Sequence, residues 1–321
     1  MLRKRFSGGF TAGHLSGFLT GLTGLRTRLQ FSQWFHHWFP PALRPVLRLW
    51  PGFLGALLFA VMAVFARLCR EEMTFGQLVF ARASGAIVVL GVIFRRELKD
   101  VFTKGTGILW MRAFFGSVAV FCYYINIYES SIGLATTLNN LAPVFVLLIS
   151  AFSLKKKVSP FAVVGVALAT VGVGVLSMPR EGFLEIKVLA TGITGALATA
   201  LAYLSLKKAT GRFSSGVVVL CFSIVLLFFS LLDPTVYQVN WQTIPWLALM
   251  GMVLTALLAQ LFMTISFRAQ TATTGATVNL TVVVWAVLGD ILILGTHFPL
   301  SSALGVLAVL VGVFLCRSRE S

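Results

Sequence analysis

The sequence predicts an all-α polytopic membrane protein, with ten transmembrane helices in two inverted five-helix repeats and both termini cytoplasmic. Three observations lead there. The chain is 58% hydrophobic and only 11% charged, where soluble domains carry roughly 25% charged residues. Its basic residues fall almost wholly on alternate connections between apolar runs. And two segments about 139 residues apart, 124–154 and 263–293, repeat one another, with Asn140-Leu141 meeting Asn279-Leu280 and Pro160 meeting Pro299.

A bilayer-spanning helix needs about 17–25 mostly apolar residues. Ten stretches qualify in chain order: 50–66, 75–94, 107–128, 134–154, 160–178, 188–206, 214–232, 244–267, 271–293 and 300–316. They divide the chain into a first repeat over 50–178, a connecting loop over 179–187, a second repeat over 188–316 and a tail over 317–321. Residues 1–49 stand apart. They hold seven basic residues, no acid and the aromatic cluster Trp34-Phe35-His36-His37-Trp38-Phe39. An interfacial or disordered extension is the expectation. A start codon placed too far upstream and an organelle transit peptide are the alternatives.

The formal net charge of +16 raises the question of nucleic acid, and its placement answers it. Of the 26 Lys and Arg, 20 precede the first segment, follow segments two, four, six and eight, or end the chain. Only Arg67, Arg70, Arg180 and Lys187 lie on the other side, and Arg82 and Arg112 sit inside segments two and three. Basic residues are retained in the cytoplasm, so this bias puts both termini inside. Five is odd, so the second repeat must run inverted. The charge is a topology signal and a contact for membrane lipid headgroups, and no nucleic-acid partner is expected.

The four cysteines lie in or beside separate segments, with no CxxC and no clustered histidine, and read as small apolar residues. His36-His37 without further ligands is not a metal site, and no metal or other cofactor is expected. The phosphate-cradling loop GxxxxGK[ST] is absent, so this chain shows no nucleotide site of that kind.

Ionisable groups inside a membrane are costly and face a cavity or a partner. Arg82, among Leu78, Val79, Phe80 and Ile87, is expected to face a cavity or pair with Asp290. Arg112 and Asp290 lie near opposite interfaces, where snorkelling or water could satisfy them as readily as a cavity or a partner. Asp290, as the one acid within a segment, is the candidate for coupling. Segment four opens with Thr136, Thr137, Asn139 and Asn140 and then places Pro143 inside the span. Proline has no amide hydrogen, so the Asn139 carbonyl loses its helical partner and must find another in protein, water or ligand. Segment nine opens in parallel with Thr271, Thr273, Thr274, Thr277 and Asn279, which suggests a shared pocket, although amides gluing helices together would look the same. Tyr123, Tyr124, Tyr203 and Trp285 are candidate stacking surfaces. The glycines of segments five and ten, Gly165 with Gly172 and Gly305 with Gly312, read as close-packing positions.

Taken in order, these features resemble the drug/metabolite transporter superfamily and its EamA-type members. The resemblance rests on Phe80-Ala81-Arg82, the Met-Arg-Ala-Phe-Phe-Gly run around Arg112, residues 124–128, residues 135–143, and the glycine-rich helices after Pro160 and Pro299. It spans roughly 50–319. The family often closes the fourth helix of each half with Gly-Glu, where this chain has Lys155-Lys156 and Gly295-Thr296. The acidic residue that small multidrug members carry in their first helix is missing as well, which disfavours a proton-coupled cation exporter.

The resemblance implies a secondary transporter moving a small polar metabolite across a membrane, expected to be the bacterial inner membrane, by alternating access. Two intramembrane arginines against one aspartate point to an anionic or zwitterionic substrate such as an amino acid or organic anion. Arg82, Arg112, Tyr123, Tyr124, Thr136, Asn139, Asn140, Asn279 and Trp285 are the candidate binding residues. A proton or a counter-substrate is the expected coupling partner. A drug exporter and a non-transporting receptor or scaffold of the same fold are the alternatives. An enzyme would want a nucleophile–base pair or clustered ligands, which the segments lack, so no enzymatic activity is expected.

Overall fold

The computed structural model describes residues 49–95, 97–102, 105–129, 138–153, 158–177, 186–240, 242–294 and 300–317, and within these it is helical with no strand. In chain order the helices are α1 (Trp50–Cys69), α2 (Phe75–Ile93), α3 (Gly107–Glu129), α4 (Ala142–Leu148, continued by a π-helical turn Ile149–Ser153), α5 (Pro160–Ser177) and α6 (Ile186–Thr210). They continue as α7 (Ser215–Ser230), α8 (Trp246–Ala269), α9 (Ala272–Asn279), α10 (Thr281–Leu294) and α11 (Leu300–Arg317). Short 3₁₀ turns follow α2 (Leu98–Phe102) and α7 (Pro234–Tyr237). Each expected span has its helix, and the ninth is divided between α9 and α10. Residues 1–48 of the N-terminal extension and 179–185 of the connecting loop lie outside the described residues, and Ile186 and Lys187 open α6.

Four helices, α1, α2, α6 and α8, are each long and apolar enough to cross a membrane, and shorter apolar helical stretches accompany them. Large apolar side chains cover the outside: Leu247 is 87% exposed, Phe152 77% and Val92 71%. A soluble protein would hide such a surface, whereas lipid solvates it. The chain is an integral, multi-pass membrane protein.

With apolar lipid outside and apolar helix inside, helix association depends on close van der Waals approach rather than on water exclusion. Glycine supplies that approach here. The helices pack chiefly as α5 on α11, α3 on α6, α1 on α8, and α2 on α7 and α7 on α3. At the first of these crossings a Cβ on Gly165 would sit 2.6 Å from the Gly312 carbonyl oxygen, and one on Gly172 2.7 Å from that of Gly305. The pairing 165 with 312 and 172 with 305 runs the two helices antiparallel. Gly55 brings α1 within 3.0 Å, Cβ to nitrogen, of Met263 on α8, while Gly192 and Gly195 seat α6 against Leu138 and against Cys122 of α3. The largest buried cluster lies around α2, α3 and α7, with Leu90, Phe94, Leu109, Leu220 and Leu226 nearly inaccessible. Phe94 fills the space that a side chain on Gly216 would need.

Helix starts follow their caps. Thr74 accepts from the Gln77 amide, and the Gln77 side chain bonds back to the Thr74 amide in a capping box that opens α2. Ser214 accepts from the Val217 amide and opens α7, and Thr271 accepts from the Thr274 amide and opens α9. Each half also breaks a helix. The Leu141 amide bonds the Leu138 carbonyl and Val144 that of Leu141; the Leu280 amide bonds Thr277 and Val283 bonds Leu280. These i to i−3 bonds tighten one turn at Asn140-Leu141 and at Leu280. Pro143 then falls in the first turn of α4, where a missing amide hydrogen costs nothing.

Replacing Gly165 or Gly312 by valine should cost about 1–3 kcal/mol through overpacking and lower the melting temperature of the purified protein. Gly174→Ala on the same helix α5, where no atom lies within 4 Å of the added carbon, should leave it unchanged or slightly raised. Equal melting in all three variants would show that the α5–α11 contact does not depend on glycine.

Candidate functional site

The turns at Asn140 and Leu280 end beside a cavity of about 480 Å³ between the two halves of the chain, within the range of small-molecule sites. Arg82 reaches it from α2, Arg112 and Tyr123 from α3, Asn139 and Asn140 from the turn before α4, and Asn279 from the end of α9. Six of the nine candidate binding residues thus meet at one place, and Tyr203 joins them. Trp285 is not on its wall, and its indole nitrogen is buried without a hydrogen-bond partner. Thr136 and the side chains of Tyr124 and Asp290 lie outside what the structure describes, so a pairing of Arg82 with Asp290 falls outside it too.

Arg112 is the deepest charge, with 4% of its surface accessible. Its guanidinium lies over the Phe222 ring of α7, carbon to centroid 4.7 Å, a cation–π contact that strengthens away from water. Gly116, one turn further along α3, makes room for it: a Cβ there would lie 2.1 Å from Arg112 Nη1. Stacking satisfies the face of the guanidinium but not its edge, and Arg112 Nε has no hydrogen-bond partner. Arg82 lies close enough for the two like charges to repel. Of the two readings open for Arg112, snorkelling does not hold: its side chain is buried and takes Phe222 as its support.

Polar side chains frame the arginines. Asn279 Nδ2 donates to the Tyr203 hydroxyl at 2.9 Å, and the Tyr203 ring packs on Phe267 with centroids 4.8 Å apart. Gln260 from the middle of α8 and Thr199 from α6 complete the floor. At the mouth stand Arg67 and Arg70 from the end of α1, with Met73 and Phe75 beyond them. Among the described lining residues four are arginine and none is acidic. Gln260, Thr199 and Phe222 were not singled out in the sequence. The one signal for Gln260 is an amide in the middle of an apolar run; Thr199 and Phe222 carry none.

At the end of the bundle away from Arg67 and Arg70, hydrogen bonds join several helix ends. Lys207 Nζ at the end of α6 donates to the Arg268 carbonyl at 3.1 Å. Arg268 Nη2 at the end of α8 donates to the Phe213 carbonyl at 2.6 Å. The Ser214 hydroxyl that caps α7 also donates to the Glu97 carboxylate. At the opposite end the start of α2 is tied to the turn after α7, where Gln77 Nε2 donates to the Thr235 carbonyl at 2.9 Å and to that of Gln238 at 3.2 Å. The α2–α7 pair is therefore fastened at both ends.

Comparison with known proteins gives this geometry a context. Residues 49–178 match the EamA-like transporter family. An uncharacterized transporter of Helicobacter pylori (strain J99) is 25% identical over 80% of this chain and 90% of its own length. The pseudopaline exporter CntI of Pseudomonas aeruginosa is 23% identical over 68% of this chain and 78% of its own. A solved crystal structure, 17% identical, superposes with a TM-score of 0.65 over 84% of this chain and 96% of that one, a likeness of fold alone. Over residues 49–178 the chain is thus similar to the EamA-like transporter family, and over most of its length to bacterial proteins named as transporters.

Proposed function

We propose that the protein is a secondary transporter that moves a small anionic or zwitterionic metabolite across the bacterial inner membrane by alternating access, without bond-breaking chemistry on its cargo. The observation that carries this reading is the cavity with four arginines and no acidic residue among those described on its wall. Cations at membrane depth are costly, and an anion held beside Arg82 and Arg112 would offset part of that cost. Tyr123, Asn139, Asn140 and Asn279 are placed to orient it. Apolar surface outside the bundle takes membrane lipid as its partner.

Two inverted five-helix halves account for the packing. Exchanging the first half for the second turns the α3–α6 contact into α8–α1 and maps α2–α7 and α5–α11 onto themselves. The Gly52 and Gly55 pair of α1 becomes Gly192 and Gly195 of α6, the cap Thr74 becomes Ser214, and the broken turn at Asn140-Leu141 becomes that at Leu280. Such inverted repeats rock around a site near the midplane. The cavity is lined by Arg67 and Arg70 on the charge-poor face, and Lys207 and Arg268 bond helix ends away from it, which supports reading this conformation as open to the outside. The exporter among the relatives favours outward movement of the cargo.

Three experiments test this reading. Arg82→Ala should abolish transport and lower affinity for an anionic metabolite found in a thermal-stabilisation screen by about 10- to 100-fold, the worth of a charged hydrogen bond, with membrane insertion intact; undiminished binding would remove Arg82 from the site. In a background free of native cysteines, Thr199→Cys should react with an impermeant maleimide from outside only. Adding Lys207→Ala and Arg268→Ala should open it to the inside, and labelling confined to the outside would argue against that gate. Asp290→Asn should flatten the response of flux to an imposed pH gradient. A response equal to that of the parent would take proton coupling away from Asp290.

A further inference from the structure

Close contacts recur in this chain 140 residues apart. A Cβ on Gly52 would meet Ser266 and Val278, and one on Gly192 would meet Asn126 and Leu138. Gly55 faces the Ala259 carbonyl as Gly195 faces that of Ala119, and Gly165 against Gly312 becomes Gly305 against Gly172. The cavity wall repeats at the same spacing: α1 lines it with Phe59, Met62 and Ala63, and α6 with Thr199, Ala202 and Tyr203. One turn further along, the correspondence stops. Arg67 and Arg70 at the end of α1 are exposed and line the cavity. Their counterparts at the end of α6 are closed in, Lys207 half-buried and Thr210 only 2% exposed. Ala66 is half-buried on the wall, whereas its counterpart Leu206 is inaccessible.

The closed end shows what holds it. Lys207 Nζ donates to the Arg268 carbonyl at 3.1 Å, in the last turn of α8. The last carbonyls of a helix have no partner within it and lie at its negative end, so a cation there is doubly favoured. The counterpart of position 268 falls in the last turn of α3, which ends on the same side as α1. Two halves with matching contacts and unlike ends can exchange those ends at small cost. The α2–α7 pair is fastened at both ends and takes no part in the exchange. We propose that Arg67 is the outer latch: when the cavity closes toward the outside, the end of α1 folds onto the end of α3 and Arg67 donates to carbonyls of its last turn. The end of α6 then opens, and Lys207 leaves Arg268. This rests on the reading of two inverted halves, open to the outside in this conformation, and adds the residue that closes the opposite one. Arg70 has no such part, since the Thr210 hydroxyl donates within α6, to the Lys207 carbonyl at 3.0 Å.

The test reads one end of the bundle while changing the other. In a background free of native cysteines, Thr210→Cys in inside-out vesicles is labelled by an impermeant maleimide at a rate set by the fraction of carriers open to the inside. Measured in that parent and again with Lys207→Ala added, Arg67→Ala should slow labelling about 3- to 30-fold, the factor carried by a charged hydrogen bond partly exposed to water. Arg67→Lys should keep the parent's rate, because lysine serves at the counterpart position. Lys207→Ala alone should raise the rate. Arg70→Ala removes an equal charge from the same mouth and should leave labelling unchanged. An unchanged or faster rate in Arg67→Ala, or an equal slowing in Arg70→Ala, would overturn the latch and leave the outward-open reading in place. Silence of Thr210→Cys both in the parent and with Lys207→Ala would overturn the exchange of ends. Labelling in the parent as fast as that of the exposed position in Lys208→Cys would overturn the outward-open reading and the latch together.

Discussion

Backbone-to-backbone approach at glycine is the constraint on which this molecule depends. In a solvent as apolar as the helices themselves, side-chain burial gives little preference for one pairing over another, and packing distance decides. Gly165 and Gly312 bring α5 and α11 together, Gly55 brings α1 onto α8, and Gly192 and Gly195 bring α6 onto α3. Helices locked this closely act as paired rods. A void between such pairs is not filled by local adjustment, and it is there that the arginines and amides collect.

Most of the helical architecture was legible in the sequence because apolar length is a direct physical requirement of the bilayer. A disturbance near Asn139 was legible through Pro143, whose missing amide hydrogen disfavours a continuous helix there, although the sequence reading kept 134–154 as one span. Its counterpart at Leu280 was not, since Leu280 is flanked by Asn279 and Thr281 and has αR dihedrals; only the repeat hinted at it. The π-helical turn Ile149–Ser153 left no mark that composition or periodicity could reveal. Where segment six overran its expected end, from 206 to Thr210, the extra turn is amphipathic and carries Lys207 toward Arg268.

The site was legible where a residue type is expensive in a membrane and obscure where it is not. Arg82 and Arg112 stood out at once, and the asparagines stood out by their place beside Pro143. Gln260 did not, because one amide in a long apolar helix reads as packing. Arg67 and Arg70 were read as a loop charge, yet they line the cavity. Side chains on a helix lean toward its N-terminus, so arginines at the end of α1 extend back along the helix and over the opening. For Arg112 the sequence position near an interface was misleading, because it could not show that Gly116 and Phe222 form a slot on the inner side of α3.

The ring of positive charge at the mouth and floor of the cavity has a kinetic consequence. Cavity walls of low dielectric focus the field of Arg67, Arg70, Arg82 and Arg112 outward into water, which concentrates anions at the opening and repels cations before any contact is made. The two arginines at the mouth face electrolyte and are screened over a Debye length of about 8 Å at physiological ionic strength. The two below are shielded from it. On the proposed anion-transport reading, capture and retention are governed by different pairs: salt slows the approach of cargo through the outer pair while the inner pair holds what has arrived. On that reading small inorganic anions are the first competitors such a field recruits, and an empty carrier in a chloride-rich medium would not turn over empty.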